Sequence, residues 1–368
     1  MTDAIVGVTD AVTLEQLELD PHPILARLRP IAWVPAIGGW LVCGRELALR
    51  VLRDDETFTV DDPRFSTGRV VGPSMLSRDG AEHARYREPF AEPLRLAPVR
   101  ERFDAFVRAE VDRLIDEIEA DGQAELRRSV AGPLAARVVA ELLGLEAAGT
   151  QAMLGWYDAI VDSVTGVAAG RAPTAEGDAA FETLRETVEP LLAPASQLSR
   201  DEVVSNAAVM LFGGIETTEG MIANLVLHLL EYGGAVDASL LPNAIEESLR
   251  LEPAAAVVDR YATRDVELGH ASIRKDDFVE VSLAGANRDP AFFPDPDRFD
   301  PSRANARHHL AFAQGPHVCV GMHLARLEAQ IAVERLFSRL PGLRLAAPAA
   351  PRGLVFRKPP RLDVTWPV

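Results

Sequence analysis

Phe312-Ala-Gln-Gly315-Pro-His317-Val-Cys319-Val-Gly321 is the stretch on which the reading of this 368-residue chain turns. The residues after it, Met322 to Leu340, carry a helical apolar period. Cys319 therefore stands at or just before a helix N-terminus, where the helix dipole and free amide N–H groups favour thiolate over thiol. Gly315 and Gly321 lack a Cβ, so the backbone there is expected to lie close against a flat ligand. A lone cysteine is more often a small buried hydrophobe, a description that suits Cys43, whereas Cys319 has too many supporting neighbours for it. His317, Cys319 and His323 are close enough in sequence to raise zinc, but structural zinc takes four ligands and the second half of such a site is missing. A helix that starts at Val320 would also carry His323 away from the thiolate. Nucleophilic catalysis by the cysteine beside His317 lacks an orienting third residue. A single thiolate framed by glycines and a phenylalanine matches haem ligation better.

Upstream, Ser199-Arg-Asp-Glu202 is a capping box with two acids in the first helical turn. The apolar pattern then runs to Tyr232, and Gly233-Gly234 supplies the stop. A helix of roughly 32 residues spans about 48 Å, enough to cross a whole domain. Few polar groups interrupt Val203 to Leu230, which predicts burial on most sides. Its middle, Leu211-Phe-Gly-Gly-Ile-Glu-Thr-Thr218, places two glycines, each costing about 1 kcal/mol of helix propensity, beside an acid and two threonines. Such local inconsistency points to function; a kinked helix whose threonines bond back to carbonyls accounts for the same residues.

The rest of the chain is mostly helical in pattern. Ile31 to Pro35 and Gly39 to Gly44 read as two strands around a glycine turn, Glu46 to Arg53 as a short amphipathic helix, and Asp265 to Val281 as a sheet region. Between them a helical tract runs from about Ala81 to Leu249, broken at Gly-Pro and Gly-Gly pairs. No repeat, linker or boundary is evident. One domain over 1–368 is expected, mainly α with small β-sheets (α+β).

Composition bounds the partners. There are 38 Lys+Arg against 55 Asp+Glu, a net charge of −17, which argues against nucleic acid or anionic membrane as the main partner. Apolar residues make up 48%, enough for a large core. Two cysteines offer no disulfide framework and suit a reducing cytosol. Neither a secretory leader nor a long uncharged apolar run is present, so a cytoplasmic protein without a membrane segment is expected.

The segment from Phe312 to Gly321 resembles the haem-binding signature of the cytochrome P450 superfamily, and Leu324-Ala-Arg326 extends the likeness. Bacterial members usually have glycine after the phenylalanine, where this chain has Ala313. Further landmarks follow in the order that the family shows. Glu247-Ser-Leu-Arg250 resembles its Glu-x-x-Arg motif, on a helix from about Pro242 to before Pro253. Pro296-Asp-Arg298-Phe299 resembles the segment whose basic residue joins that ion pair. His83-Ala-Arg-Tyr-Arg87 resembles the pair that holds haem propionates, and Gly213-Gly-Ile-Glu216-Thr217 resembles the oxygen-activating part of the long helix. Together they cover about Glu82 to Arg326.

The resemblance implies a P450 fold whose long central helix lies over haem b, with Cys319 as the iron ligand and Phe312, Gly315 and Gly321 shaping its loop. His83, Arg87, His317 and Arg260 would hold the propionates. Glu247, Arg250 and Arg298 would form a structural ion network. Glu216 and Thr217 would be the catalytic pair, delivering protons for O2 activation. Phe212, Gly213, Ala256 and Val257 are substrate-contact candidates, within apolar segments that also include Asp61 to Met75 and Trp156 to Val167; these suggest a hydrophobic small molecule. The implied activity is O2-dependent hydroxylation or epoxidation in secondary metabolism. Oxidative coupling or desaturation with the same haem is one alternative, and a non-catalytic haem carrier or sensor is another. No flavin, iron–sulfur or dinucleotide fingerprint is present. Electrons from NAD(P)H would then arrive through a ferredoxin and its reductase, docking near Arg85, Arg95, Arg100 and Arg326. A monomer is expected. The link from Thr217 to Glu247 is several residues shorter than is usual in the family.

Overall fold

Three alternating or β-branched runs near the N-terminus and around residue 260 form strands, and the long periodic runs form helices, in a computed structural model that describes residues 9, 11–168, 170–188 and 198–368. The strands of the described residues are, in chain order, β1 (Ile31–Val34), β2 (Gly39–Val42), β3 (Phe58–Thr59), β4 (Gln123–Glu125), β5 (Val257–Ala262), β6 (Val266–Leu268), β7 (Ala271–Ile273), β8 (Phe278–Ser282), β9 (Arg344–Leu345) and β10 (Asp363–Thr365). The chain divides into two compact units. One lies within Met1–Val60, Ala223–Cys319 and Ala347–Leu362, the other within Asp61–Ile222, Val320–Ala346 and Asp363–Val368.

The first unit is built on a five-stranded sheet in the order β1-β2-β8-β5-β3. β1 and β2 pair antiparallel around Gly38, whose φ of +64° is the left-handed conformation that glycine adopts without a Cβ penalty. Helix Arg45–Arg53 follows, as the amphipathic pattern indicates, and buries Val51 and Leu52 with Ile31, Val42, Phe58 and Val281. A second apolar cluster joins Leu17, Ile24, Leu25, Cys43, Ala256, Val257 and Ala284. β5 lies just before the Asp265 to Val281 stretch in which a sheet is expected. In its ladder with β8, Asp259 stands directly opposite Glu280. β6 and β7 form a separate hairpin.

The second unit is helical around a small sheet, β4-β10-β9. Helix Leu96–Asp116 packs along Met322–Arg339, where Asp112 accepts two 2.6 Å hydrogen bonds from the Arg335 guanidinium. Helices Gly132–Leu143, Thr150–Ala168 and Ala175–Val188 pack in succession. The expected helical tract, broken only at Gly-Pro and Gly-Gly pairs, is also interrupted by a strand here. Gly122 turns the chain at φ +67°, β4 pairs with β10 near the far end of the sequence, and Arg127–Ala131 is a π-helical turn. A partner 240 residues away leaves no trace in local periodicity, which is why β4 reads as helix.

Arg200–Tyr232 is one continuous helix of 33 residues. The capping box forms: Ser199 Oγ accepts from Glu202 N (3.3 Å), and the Glu202 carboxylate accepts from Ser199 N (2.7 Å). At its other end Gly233 and Gly234, both at positive φ, send their N–H groups to Leu229 O. Helix Leu241–Leu251 then carries the Glu-x-x-Arg motif. No described helix is long and apolar enough to cross a membrane.

Candidate functional site

In the first unit the cysteine loop is held by its own backbone. Cys319 N donates to Phe312 O (2.9 Å), Val318 N to Gly315 O (3.1 Å) and Ala313 N to Leu310 O (2.8 Å). His309, bonded to Glu246 (3.1 Å), accepts from Ala311 N at the loop's entry. Phe312 and Cys319 are both half-buried, although apolar residues of this size normally pack away. The two cysteines separate clearly. Cys43 is wholly buried, and burial pushes its thiol up to about 12; Cys319 is the accessible one.

The loop's two glycines also separate. Gly321 stands in open space, where a Cβ would meet nothing within 4 Å. At Gly315, φ +77°, a Cβ would lie 2.3 Å from the carbonyl oxygen of Leu52. The expectation that Gly315 lets backbone approach a flat ligand is corrected: its lack of a side chain admits the end of helix Arg45–Arg53. The Ala313 departure falls on a left-handed position, φ +56°, which explains why glycine is the natural residue there.

Glu247 and Arg250 are both fully buried and pair twice, at 2.7 and 2.8 Å. Their third member is Arg303, whose Nε meets both Glu247 oxygens (2.9 and 3.0 Å), and not Arg298. Arg298 contributes only its carbonyl, to Arg250 and Arg303, while its guanidinium turns outward to Asp300 (3.1 Å) at 67% exposure. The Pro296-Asp-Arg298-Phe299 likeness located the segment correctly. The polypeptide places the next arginine, five residues on, inside. Arg260 is buried on β5 and donates to Asp259 O. Ala256 and Val257 belong to the apolar cluster with Leu17 and Ile24.

In the second unit, His83 (buried) and Arg87 (half-buried) lie one turn apart on helix Gly80–Ala91. Arg85, between them, is tied to Glu82 (2.8 Å) and Glu202 (2.7 Å) and holds the Glu202 carboxyl down to about 2; it is no free docking cation. Arg95 and Arg100 are exposed, and Arg326 reaches Met322 O (3.5 Å).

Within the buried run of the long helix, Gly213, Gly214 and Thr217 form a strip of partial accessibility. A Cβ on Gly214 would strike Val139 at 2.6 Å, so that glycine serves helix packing. A Cβ on Gly213 would meet nothing within 4 Å, so open space lies there. Phe212, by contrast, is packed away at 3% exposure. Thr217 Oγ1 donates to Gly213 O (2.6 Å), the back-bonding geometry of a helical threonine. Glu216 is buried, and its carboxylate accepts from the Tyr157 hydroxyl. Glu219 is buried on the same helix and accepts from Arg127 Nε (3.0 Å). Tyr157 and Arg127 escape motif reading because they reach Glu216 and Glu219 only through the fold.

These residues fit a haem. Among the described residues no group of three or more His, Cys, Asp or Glu side chains is placed to hold an ion. The open positions at Gly213 and Gly321 leave room that side chains would fill. An accessible thiol in a glycine-bearing loop, a buried Glu–Arg–Arg network and a long helix opened at one glycine define a haem-thiolate protein.

Comparison with known proteins agrees. The family model described as Cytochrome P450 matches residues 235–341. A nocardicin C N-oxygenase of Nocardia uniformis subsp. tsuyamanensis is 34% identical, over 96% of this chain and 97% of its own length. A mycinamicin IV hydroxylase/epoxidase of Micromonospora griseorubida is 33% identical, over 95% and 94%. The crystal structure of CalO2 superposes with a TM-score of 0.87 at 29% identity, covering 96% of this chain and 99% of that one. The chain belongs to the cytochrome P450 family. It is an oxidoreductase, a monooxygenase using haem, O2 and electrons supplied from outside, and its class of reaction is O2-dependent hydroxylation or epoxidation of an organic molecule.

Proposed function

We propose that Cys319 supplies the thiolate that would hold haem b, and that the chain inserts one oxygen atom into a hydrophobic small molecule of secondary metabolism. The observation that carries this is the contrast between the thiols: the half-accessible Cys319 in its glycine-bearing loop, and Cys43, sealed in the core with its proton held. The chain's similarity to the nocardicin C N-oxygenase and the mycinamicin IV hydroxylase/epoxidase supports the substrate class.

Haem bound through a thiolate supplies O2 activation and O–O cleavage. Around it this chain has defined tasks. His83 and Arg87 on one helix, with Arg260 and His317, are the donors that would hold the two propionates. Glu216 holds and passes protons at its carboxylate, and Thr217, whose proton is engaged by Gly213 O, keeps oxygen lone pairs with which to accept a hydrogen bond. Glu247, Arg250 and Arg303 fix the segment that leads to the cysteine loop. Residues 1–368 work as one haem domain, a cytoplasmic monomer fed by a ferredoxin and its reductase that draw on NAD(P)H. Exposed Arg95 and Arg100, with Arg326, are the docking cations that suit an acidic donor.

The test begins with the reduced carbon monoxide spectrum. The native chain is expected to show the thiolate-type band and Cys319→Ser to lose it; retention of that band by the variant rejects the ligand assignment. Turnover under ¹⁸O2 then gives a product heavier by one labelled oxygen. A product without the label would point to coupling or desaturation.

A further inference from the structure

Tyr157 has no place in the signature that identifies the family, yet it makes the most intimate contact to the acid on the long helix. It is 2% exposed, and its hydroxyl donates to Glu216 Oε2, with Glu219 Oε2 a further 3.5 Å contact. The phenol is carried on helix Thr150–Ala168, which packs against both Ser66–Val71 and Ala175–Val188. Burial, with the two carboxylates facing it, pushes the phenol far above its ordinary value, so it stays protonated and keeps a proton to donate. Arg127 holds the other carboxylate of the cluster from the π-helical turn, and Gly132 leaves the space that Glu219 occupies, a Cβ there lying 3.1 Å from Glu219 Oε1.

We propose that Tyr157 is the positioning residue for Glu216. Its O–H fixes which way the carboxylate points. This rests on the reading of Glu216 as the relay acid.

The first measurement is independent of turnover. In the holoprotein, the infrared C=O band of protonated Glu216, identified by its loss in Glu216→Gln, is followed against pH. Tyr157→Phe removes a donor to a buried carboxylate and is expected to raise the pH of that band by about one unit, tenfold in proton affinity. Site-specific 3-fluorotyrosine, nearly unchanged in shape and a stronger donor, is expected to lower it, which keeps the test decisive where the phenylalanine variant folds poorly. A band that titrates at the native pH in both variants overturns the proposal. The second measurement is the pH profile of hydrogen peroxide released per NADPH with a surrogate ferredoxin system. Tyr157→Phe should move that profile in the same direction as the band. A band that moves while neither Tyr157→Phe nor Glu216→Gln changes the peroxide profile also overturns the proposal, and places the fault in the relay assignment rather than in the contact.

Discussion

At Ala313 the backbone adopts φ +56°, a conformation in which an L side chain crowds the following carbonyl at a cost of about 1–2 kcal/mol. Glycine removes that cost and returns part of it as chain entropy in the unfolded state. Ala313→Gly is therefore expected to stabilise the protein by roughly 0.5–1 kcal/mol, read as a higher denaturant midpoint with an unchanged slope. Gly315→Ala goes the other way: the carbonyl of Leu52 occupies the place a Cβ needs, and the variant should fail to retain haem in a reconstitution assay. At Thr217 the predicted loss is functional. Thr217→Ala should keep the haem spectrum and divert electrons to peroxide; a variant that still couples NADPH oxidation tightly to product would sink the role given to the hydroxyl. The ligand loop was readable from ten consecutive residues because glycines, a cysteine and a following helix act locally. Tyr157 was not, since it meets Glu216 across 59 positions of chain and nothing in helix Thr150–Ala168 marks it.

Helix Leu241–Leu251 brings Glu247 and Arg250 together at i, i+3, and the irregular segment after residue 290 supplies the third charge. Arg303 is 8% exposed, and beyond Glu247 it donates to the carbonyls of Pro294, Asp295 and Arg298, so one guanidinium ties the helix to the segment. Arg303→Ala is expected to destabilise by about 3 kcal/mol, because buried Glu247 loses one of its two cations and the Pro294 and Asp295 carbonyls lose their donor. Arg298→Ala should lie within about 0.5 kcal/mol of the native protein, because an exposed pair adds little. Equal losses from the two variants would contradict the geometry. Helix starts and stops were legible wherever a cap carried them, as at Ser199 and Gly233-Gly234. The strands were less so: β5 and β4 take their identity from partners far along the chain, and periodicity within three to six residues is silent about partners.

Across the molecule, buried acids set how stability responds to pH. Burial raises Glu280 to about 8, and Asp259, opposite it in the β5–β8 ladder, is pushed up as well. The folded chain thus keeps a proton that the unfolded chain releases near pH 4, so this pair's contribution to stability declines as pH rises from about 4 to about 8. Glu252 has the opposite sign. Burial favours its neutral form, but the hydrogen bond to His22 and the charges of Arg357 and Arg288 hold it at about 2, and its contribution is present above pH 4 and lost as pH falls through that value. Glu280→Gln is accordingly expected to gain on the native chain steadily between pH 5 and pH 8 in urea midpoints, and a constant difference would show that the pair does not share a proton. The contrast between the two thiols has a practical side. Cys43 is out of reach and keeps its proton, so an alkylating reagent applied to the native chain has one place to react, and that place is the proposed iron ligand. The mass gained per molecule under such treatment then counts the fraction of a preparation that has lost its haem, independently of any colour or substrate.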